Sequence, residues 1–229
     1  MAHRYDFKRS PVADSKAVIQ GECYRFTVLT SGVIRYEWSD KGEFEDRAST
    51  FALNRHQPVP EFRVNERPNR LEIVTSRLAL YFDKQDLDSL SVQAKGVVTG
   101  SEGRWYYNGH ANNPERGNLQ GTIKTLDGVD GPTQLGPGVL SHDSFGHLDD
   151  SDSLLFEQDG WLVPRQKAHG RRADGYIFAY GADYKEALNA FYEISGREPL
   201  LPRWAFGNWW SRYYKVSRAR NTLNDSPDF

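Results

Sequence analysis

Between Tyr24 and about Tyr180 apolar residues recur with a period of two, and that alternation restricts the chain more than anything else in it. Tyr24-Arg25-Phe26-Thr27-Val28-Leu29-Thr30 and Val33-Ile34-Arg35-Tyr36-Glu37-Trp38 flank Ser31-Gly32, which reads as a two-residue hairpin with positive φ at the glycine. Phe62 and Val64 alternate with charged residues, and Arg67-Pro68-Asn69-Arg70 makes a turn. Leu71-Glu72-Ile73-Val74, Leu78-Ala79-Leu80-Tyr81-Phe82 and Ser89-Leu90-Ser91-Val92-Gln93-Ala94 continue the pattern. Successive side chains of a strand point to opposite faces. Short alternating runs without intervening helices therefore describe an antiparallel β-sandwich. The 229 residues suffice to bury a substantial core.

From Gly96 to Asp159 the pattern loosens. Tyr107-Asn108-Gly109-His110, Asn112-Asn113-Pro114, Gly131-Pro132 and Gly136-Pro137-Gly138 are turn formers. Loops are expected there, joined by brief strands near residues 139–141 and 154–156. Loops of this length inside a compact domain are often functional.

The period changes at Asp183, where Glu186 three residues on fits a capping box. Ala187, Leu188, Phe191 and Tyr192 fall on one face of a helix that Gly196 would end. Arg197-Glu198-Pro199 leads into Leu200-Leu201-Pro202-Arg203-Trp204-Ala205-Phe206-Gly207-Asn208-Trp209-Trp210-Ser211-Arg212-Tyr213-Tyr214. Aromatic residues at that density build a buried junction or line a sugar-sized surface, because flat apolar rings stack on pyranose faces.

That run resembles the segment that opens the catalytic barrel of glycoside hydrolase family 31, the α-glucosidase and α-xylosidase family. There a Pro-Arg-(Trp or Tyr)-Ala-(Leu or Phe)-Gly motif leads out of an N-terminal sandwich into the first strand of a (β/α)8 barrel. Residues 118–161 and 175–210 extend the resemblance upstream. It implies a galactose-mutarotase-like sandwich over residues 1–182 and a linking helix with a Pro-bounded connector over 183–202. The beginning of a truncated barrel follows over 203–229. Past Val216 the sequence carries no helical stripe, departs from the family and reads as a disordered tail.

Both catalytic aspartates of the family sit on later barrel strands, beyond the aromatic run, so this chain is expected to be inactive alone. The resemblance also implies that a sandwich loop reaches the mouth of the active site. It corresponds here to residues 124–132, with Asp127 and Asp130 as candidates for contact with sugar hydroxyls. Tyr213, just after Arg212, corresponds to an aromatic beside the bound sugar. Within the chain itself the richest acid cluster is Leu148-Asp149-Asp150-Ser151-Asp152. Retaining glycosidases need two carboxyl groups about 5–5.5 Å apart. Neighbours on a strand face opposite ways, so an Asx turn fits the cluster better than a dyad.

His142, His147 and His169, with Asp143 and Asp149, match no metal-ligand spacing, and Asp127-Gly128-Val129-Asp130-Gly131 lacks the full oxygen set of a calcium loop. No metal or cofactor is expected. A formal charge of −2 without a basic stripe argues against nucleic acid. The first residues lack the apolar run of a signal peptide and no later run could span a bilayer, so a cytoplasmic protein is expected. The lone Cys23 reads as a small hydrophobe beside the first strand.

Three functional readings follow. The first is the non-catalytic N-terminal part of a family 31 α-glycosidase, binding α-linked oligosaccharides through the full enzyme. It would be covered by the missing barrel, or self-associate through residues 203–214. The second is a stand-alone carbohydrate-binding sandwich, and the third a structural module without a ligand.

Overall fold

The computed structural model describes residues 8–95, 103–107, 117–121, 128–167, 169–197 and 200–207. Twelve strands and one α-helix are seen among them: β1 (Val18–Gln20), β2 (Tyr24–Val28), β3 (Val33–Ser39), β4 (Phe62–Arg67), β5 (Arg70–Thr75), β6 (Leu78–Phe82), β7 (Ser91–Ala94), β8 (Arg104–Tyr106), β9 (Gly146–Asp149), β10 (Leu155–Phe156), β11 (Leu162–Val163), β12 (Arg172–Phe178) and α1 (Tyr184–Ser195). One five-stranded sheet runs β1-β2-β3-β12-β9, a second runs β4-β5-β6-β7-β8, and β10-β11 form a small ribbon. Every strand pair is antiparallel. The chain divides into two units, Met1–Arg197 and Glu198–Phe229. No helix among the described residues is long and apolar enough to cross a membrane.

The alternation expected from the sequence produces the sandwich. Tyr24, Phe26, Val28, Ile34, Tyr36 and Trp38 of the first sheet share one core with Leu71, Ile73, Leu80, Phe82, Val92 and Trp105 of the second. Cys23 is half-buried against this core. Register preserves the pattern: Leu71 pairs with Phe82 and Ile73 with Leu80, and a slip of one residue would turn all four to the other face. Each side chain of this size is worth about 1.5–3 kcal/mol when removed from water.

The first sheet is covered on its other face as well, so β3 is buried at all seven positions whereas β4 is largely exposed. Part of that second cover is α1, whose Ala187, Ala190 and Ile194 pack with Leu29, Val33, Tyr176 and Phe178. The helix has the bounds its periodicity predicts, and Gly196 closes it at φ 89° with its N–H bonded to the Tyr192 carbonyl. Leu188, expected on the packed face, is instead exposed: the face is centred on Ala187, Ala190 and Ile194, which lie three and four residues apart.

Two further expectations are corrected. Asp183 precedes the helix without a side-chain cap, because its carboxylate accepts from Arg77 Nη2 at 2.9 Å. The β2–β3 connection spans residues 29–32, and its glycine is not in the left-handed region. Thr30 Oγ1 closes this turn by accepting from the backbone of Gly32 and Val33 at 3.2 and 2.9 Å. Gly32 is needed for room instead, since a Cβ there would lie 2.6 Å from the Tyr180 ring. The expected first barrel strand begins, in its described part, as a 3-10 turn at Arg203–Phe206; residues 208–214 and the tail lie outside the described residues.

Candidate functional site

Residues 117–121 and 134–142 form a paired stem beside β9, and the stem carries the loop in which Asp127 and Asp130 were expected. Its backbone bonds run from Leu119 N to Leu140 O (2.9 Å), Gly121 N to Gly136 O (2.7 Å) and His142 N to Gly117 O (2.8 Å). Asn118 clamps it: Oδ1 accepts from the N–H of Gln120 and Gly138, and Nδ2 donates to the Gly138 carbonyl, all at 2.7–2.8 Å. Within the strand expected at 139–141, Ser141 alone forms a bridge, to Asn118.

Glycine permits the close approach of these chains. A Cβ at Gly138 would lie 2.6 Å from the Gln120 carbonyl oxygen, and one at Gly146 of β9 would lie 2.3 Å from that of Val139. The stem is thereby pressed onto the edge of the first sheet. Gly128 and Gly131, at φ 73° and 94°, take the left-handed conformations that Asp-Gly turns favour.

Asp130 is exposed at this loop. Asp127 and Tyr213 lie outside the described residues, so the three candidates are not seen together. Beside the stem is a cavity of about 320 Å3 lined by Asn118, Gln120, Gln134, Leu135, Gly136 and Pro137. Neutral amides next to apolar surface can hydrogen-bond uncharged hydroxyls, and the volume is at the small end of ligand sites. Among the described residues the lining holds no nucleophile and no acid or base.

The acid cluster has another task. Asp149 is exposed, and its Oδ1 accepts from Ser151 N at 2.9 Å, the expected Asx turn. Asp150 is fully buried and meets Arg165 Nη2 at 3.1 Å and Arg55 Nη2 at 3.8 Å. Arg165 also reaches Asp174 at 2.9 Å, and Asp174 receives Arg35 through two bonds of 2.8 and 2.7 Å. Arg35 touches Glu37, which Arg25 grips at 2.6 and 2.9 Å.

This chain of charges fills the rest of the first sheet's outer face, beneath residues 43–50. The Glu45 carbonyl accepts from both Arg25 and Arg35, and the Arg47 carbonyl accepts from Arg55. Burial pushes the Asp174 carboxyl up, but the attraction of Arg35, its hydrogen bond and Arg165 outweigh that and hold it well below the usual range. Burial first, and the charge of Asp174 second, push the Asp150 carboxyl up. Two carboxyls sealed from water and shared among arginines hold structure together and face no substrate. Sequence reasoning found the Asx turn and missed this network, whose directly bonded partners are up to 139 residues apart.

The histidines are dispersed. His142 is exposed, with Nδ1 3.4 Å from the Tyr184 hydroxyl, and His169 is exposed on the 166–171 segment. His147 Nε2 meets the Tyr36 hydroxyl at 2.8 Å, and its ring lies against Trp105. Burial pushes its pKa down to about 4 although Asp149 draws it up. Among the described residues no group of three His, Cys, Asp or Glu is placed to hold a metal. In the second unit Leu200 is fully exposed, and Leu201, Trp204 and Phe206 are more than half exposed.

No protein-family model matches the chain. Over 56 residues it is 39% identical to the isomaltosyltransferase of Sporosarcina globispora, a stretch covering 22% of this chain and 5% of that protein. Among solved structures it is similar to a GH31 dextranase of Flavobacterium johnsoniae complexed with glucose, at a TM-score of 0.47 and 16% identity, covering 88% of this chain and 30% of that one. It is also similar to the cycloalternan-forming enzyme of Listeria monocytogenes in complex with a pentasaccharide substrate, again at 0.47 and 16%, covering 86% and 23%. The chain thus spans less than a third of the length of each. The 56-residue match to an isomaltosyltransferase agrees with the resemblance to family 31 enzymes.

Proposed function

We propose that this chain is the N-terminal, non-catalytic part of a family 31 α-glycosidase, and that its sandwich helps to shape the substrate entrance of the barrel that follows it. The parent reaction would be hydrolysis of α-glycosidic bonds with retention. The observation that carries this reading is the Pro-Arg-Trp-Ala-Phe-Gly run directly after the sandwich and its helix, with Leu200, Leu201, Trp204 and Phe206 all open to solvent. Apolar surface of that extent calls for a cover, and barrel strands and helices would supply one. The 39% identity to an isomaltosyltransferase over 56 residues supports an α-glucan context. In this role Asp130 and the amide-lined cavity meet sugar hydroxyls, while chemistry belongs to carboxylates of the barrel.

A second reading, a self-sufficient sugar-binding module, is favoured by that neutral cavity alone. One experiment addresses both. The purified chain is offered an aryl α-glucoside and isomaltotriose, and turnover and binding are measured separately. The expected result is no hydrolysis above the buffer blank and no saturable sugar affinity. Saturable binding lost on Gln134→Ala would favour the module. Hydrolysis abolished by Asp149→Asn, an exposed position outside the buried network, would overturn the non-catalytic reading.

A further inference from the structure

Aspartate precedes glycine at positions 127–128, 130–131, 159–160 and 174–175. In such a pair the glycine nitrogen can attack the γ-carbon of the aspartate, because the second residue carries no Cβ to stand in the way. Whether it does so depends on how firmly both groups are already held. The fold treats the pairs very differently.

Asp174 and Gly175 are locked. Asp174 is 2% exposed, and its carboxylate is held by Arg35 at 2.8 and 2.7 Å and by Arg165 at 2.9 Å. Gly175 lies inside β12, between Tyr36 on one side and Asp149 on the other. Ring closure there would have to break both the charge network and the ladder. Asp159 is exposed beside the β10–β11 ribbon, yet both members of its pair are tied. Asp159 Oδ1 accepts from Trp161 N at 3.1 Å, and Gly160 N donates to the Glu157 carbonyl at 3.0 Å. Those bonds must open before the nitrogen can turn onto the carboxyl.

Asp130 and Gly131 have no such restraint. Both are exposed, and neither forms a hydrogen bond or ion pair among the described residues. Gly131 has φ 94°, and no atom lies within 4 Å of the place its Cβ would occupy. Asp127 of the remaining pair lies outside the described residues.

We infer that Asp130 is a site of spontaneous covalent modification, cyclising onto Gly131 and reopening as isoaspartate. The Gly131 nitrogen bonds to Asp130 Cγ. Its proton and the carboxyl hydroxyl leave together as water, which closes a five-membered succinimide. A solvent water then adds back. Opening at the γ-carbonyl restores aspartate, whereas opening at the α-carbonyl breaks the original peptide C–N bond and leaves the chain running through Cγ. Nothing is oxidised or reduced, and the product has the mass of the starting chain. Its backbone is one carbon longer and its free carboxylate sits on Cα. The inference does not depend on the family 31 reading.

The test keeps the 229-residue chain folded at neutral pH for several weeks. A protein isoaspartyl methyltransferase with labelled S-adenosylmethionine measures the isoaspartate formed. Electron-transfer fragmentation of the proteolytic peptides, which tells isoaspartate from aspartate, assigns its position. Isoaspartate should accumulate at Asp130 several-fold faster than at Asp159 and be absent from Asp174. In concentrated urea the three rates should converge, because the same chemical pair is then held by nothing. Asp130→Glu, which could close only a slower six-membered ring, should remove the product at that position and leave the slow formation at Asp159 unchanged. Formation at Asp130 no faster than at Asp159 in the folded chain, product confined to Asp127, or rates equally far apart in urea would overturn the inference.

Discussion

Replacing Asp174 by Asn should be among the most damaging single changes in this chain. Asp174 is 2% exposed, takes two bonds from Arg35 at 2.8 and 2.7 Å, and takes a third contact from Arg165 at 2.9 Å. The amide keeps the shape but removes the charge, and it turns an N–H2 donor toward guanidinium donors. Breaking one partner of a buried pair costs about 3–5 kcal/mol, because the surviving charge remains buried. For a domain of this size that lowers the melting temperature by roughly 6–20 °C. Asp150→Asn is the internal control. Its carboxyl is already disfavoured as an anion by burial and by Asp174, so losing its charge should cost less, under about 2 kcal/mol. Urea unfolding followed by tryptophan fluorescence measures both. The Asp174 carboxyl titrates below its unfolded value near 3.9, so its contribution is complete above that pH and fades as pH falls through the lower folded value. The gap between wild type and Asp174→Asn should therefore close in acid. A loss within about 1 kcal/mol of zero at pH 7, or Asp150→Asn costing as much, would refute the network as the source of stability.

Three other outcomes are expected. His147 is neutral in the fold down to about pH 4 but protonates near 6.5 when unfolded, so stability falls between those values; at pH 4.5 the wild type should have lost roughly 2 kcal/mol that His147→Gln retains, and parallel pH profiles would contradict this. Gly146→Ala places a methyl 2.3 Å from the Val139 carbonyl oxygen and should cost about 1–3 kcal/mol while loosening the stem; unchanged proteolysis of residues 117–142 would tell against its packing on β9. Deleting residues 198–229 removes exposed Leu200, Leu201, Trp204 and Phe206, so light scattering should show the full chain self-associating and the shortened one monomeric; two equally monomeric samples would remove the physical support for a buried junction.

Local pattern carried much of this fold. The strand pairs from Tyr24 to Trp38 and from Phe62 to Ala94 follow from alternation, and α1 has the bounds its 3.6-residue period implies. The Asx turn at Asp149 and the glycine end of α1 were legible for the same reason: each is closed by residues within a few positions of one another. The stem of the candidate site was legible as loops, through its glycines and prolines. Its pairing by Asn118 was not, since a carboxamide clamp between positions 118 and 138 leaves no periodic mark. Asp130 is exposed on its loop, and Asp127 and Tyr213 lie outside the described residues.

What the sequence by itself determined, then, is which side chains share a face. What only the tertiary structure decided is what each face meets. Arg25, Arg35, Glu37 and Asp174 alternate with apolar residues as a solvated face would, yet all are buried. Glu37 and Asp174 lie directly opposite each other across β3 and β12, an arrangement that repulsion would forbid without Arg25, Arg35 and Arg165. Asp183 has the sequence of a helix cap and instead serves Arg77, which is 106 residues away. Period and capping act over one strand or one turn, whereas the partner of a charge is chosen by whichever segment the folded chain lays over it.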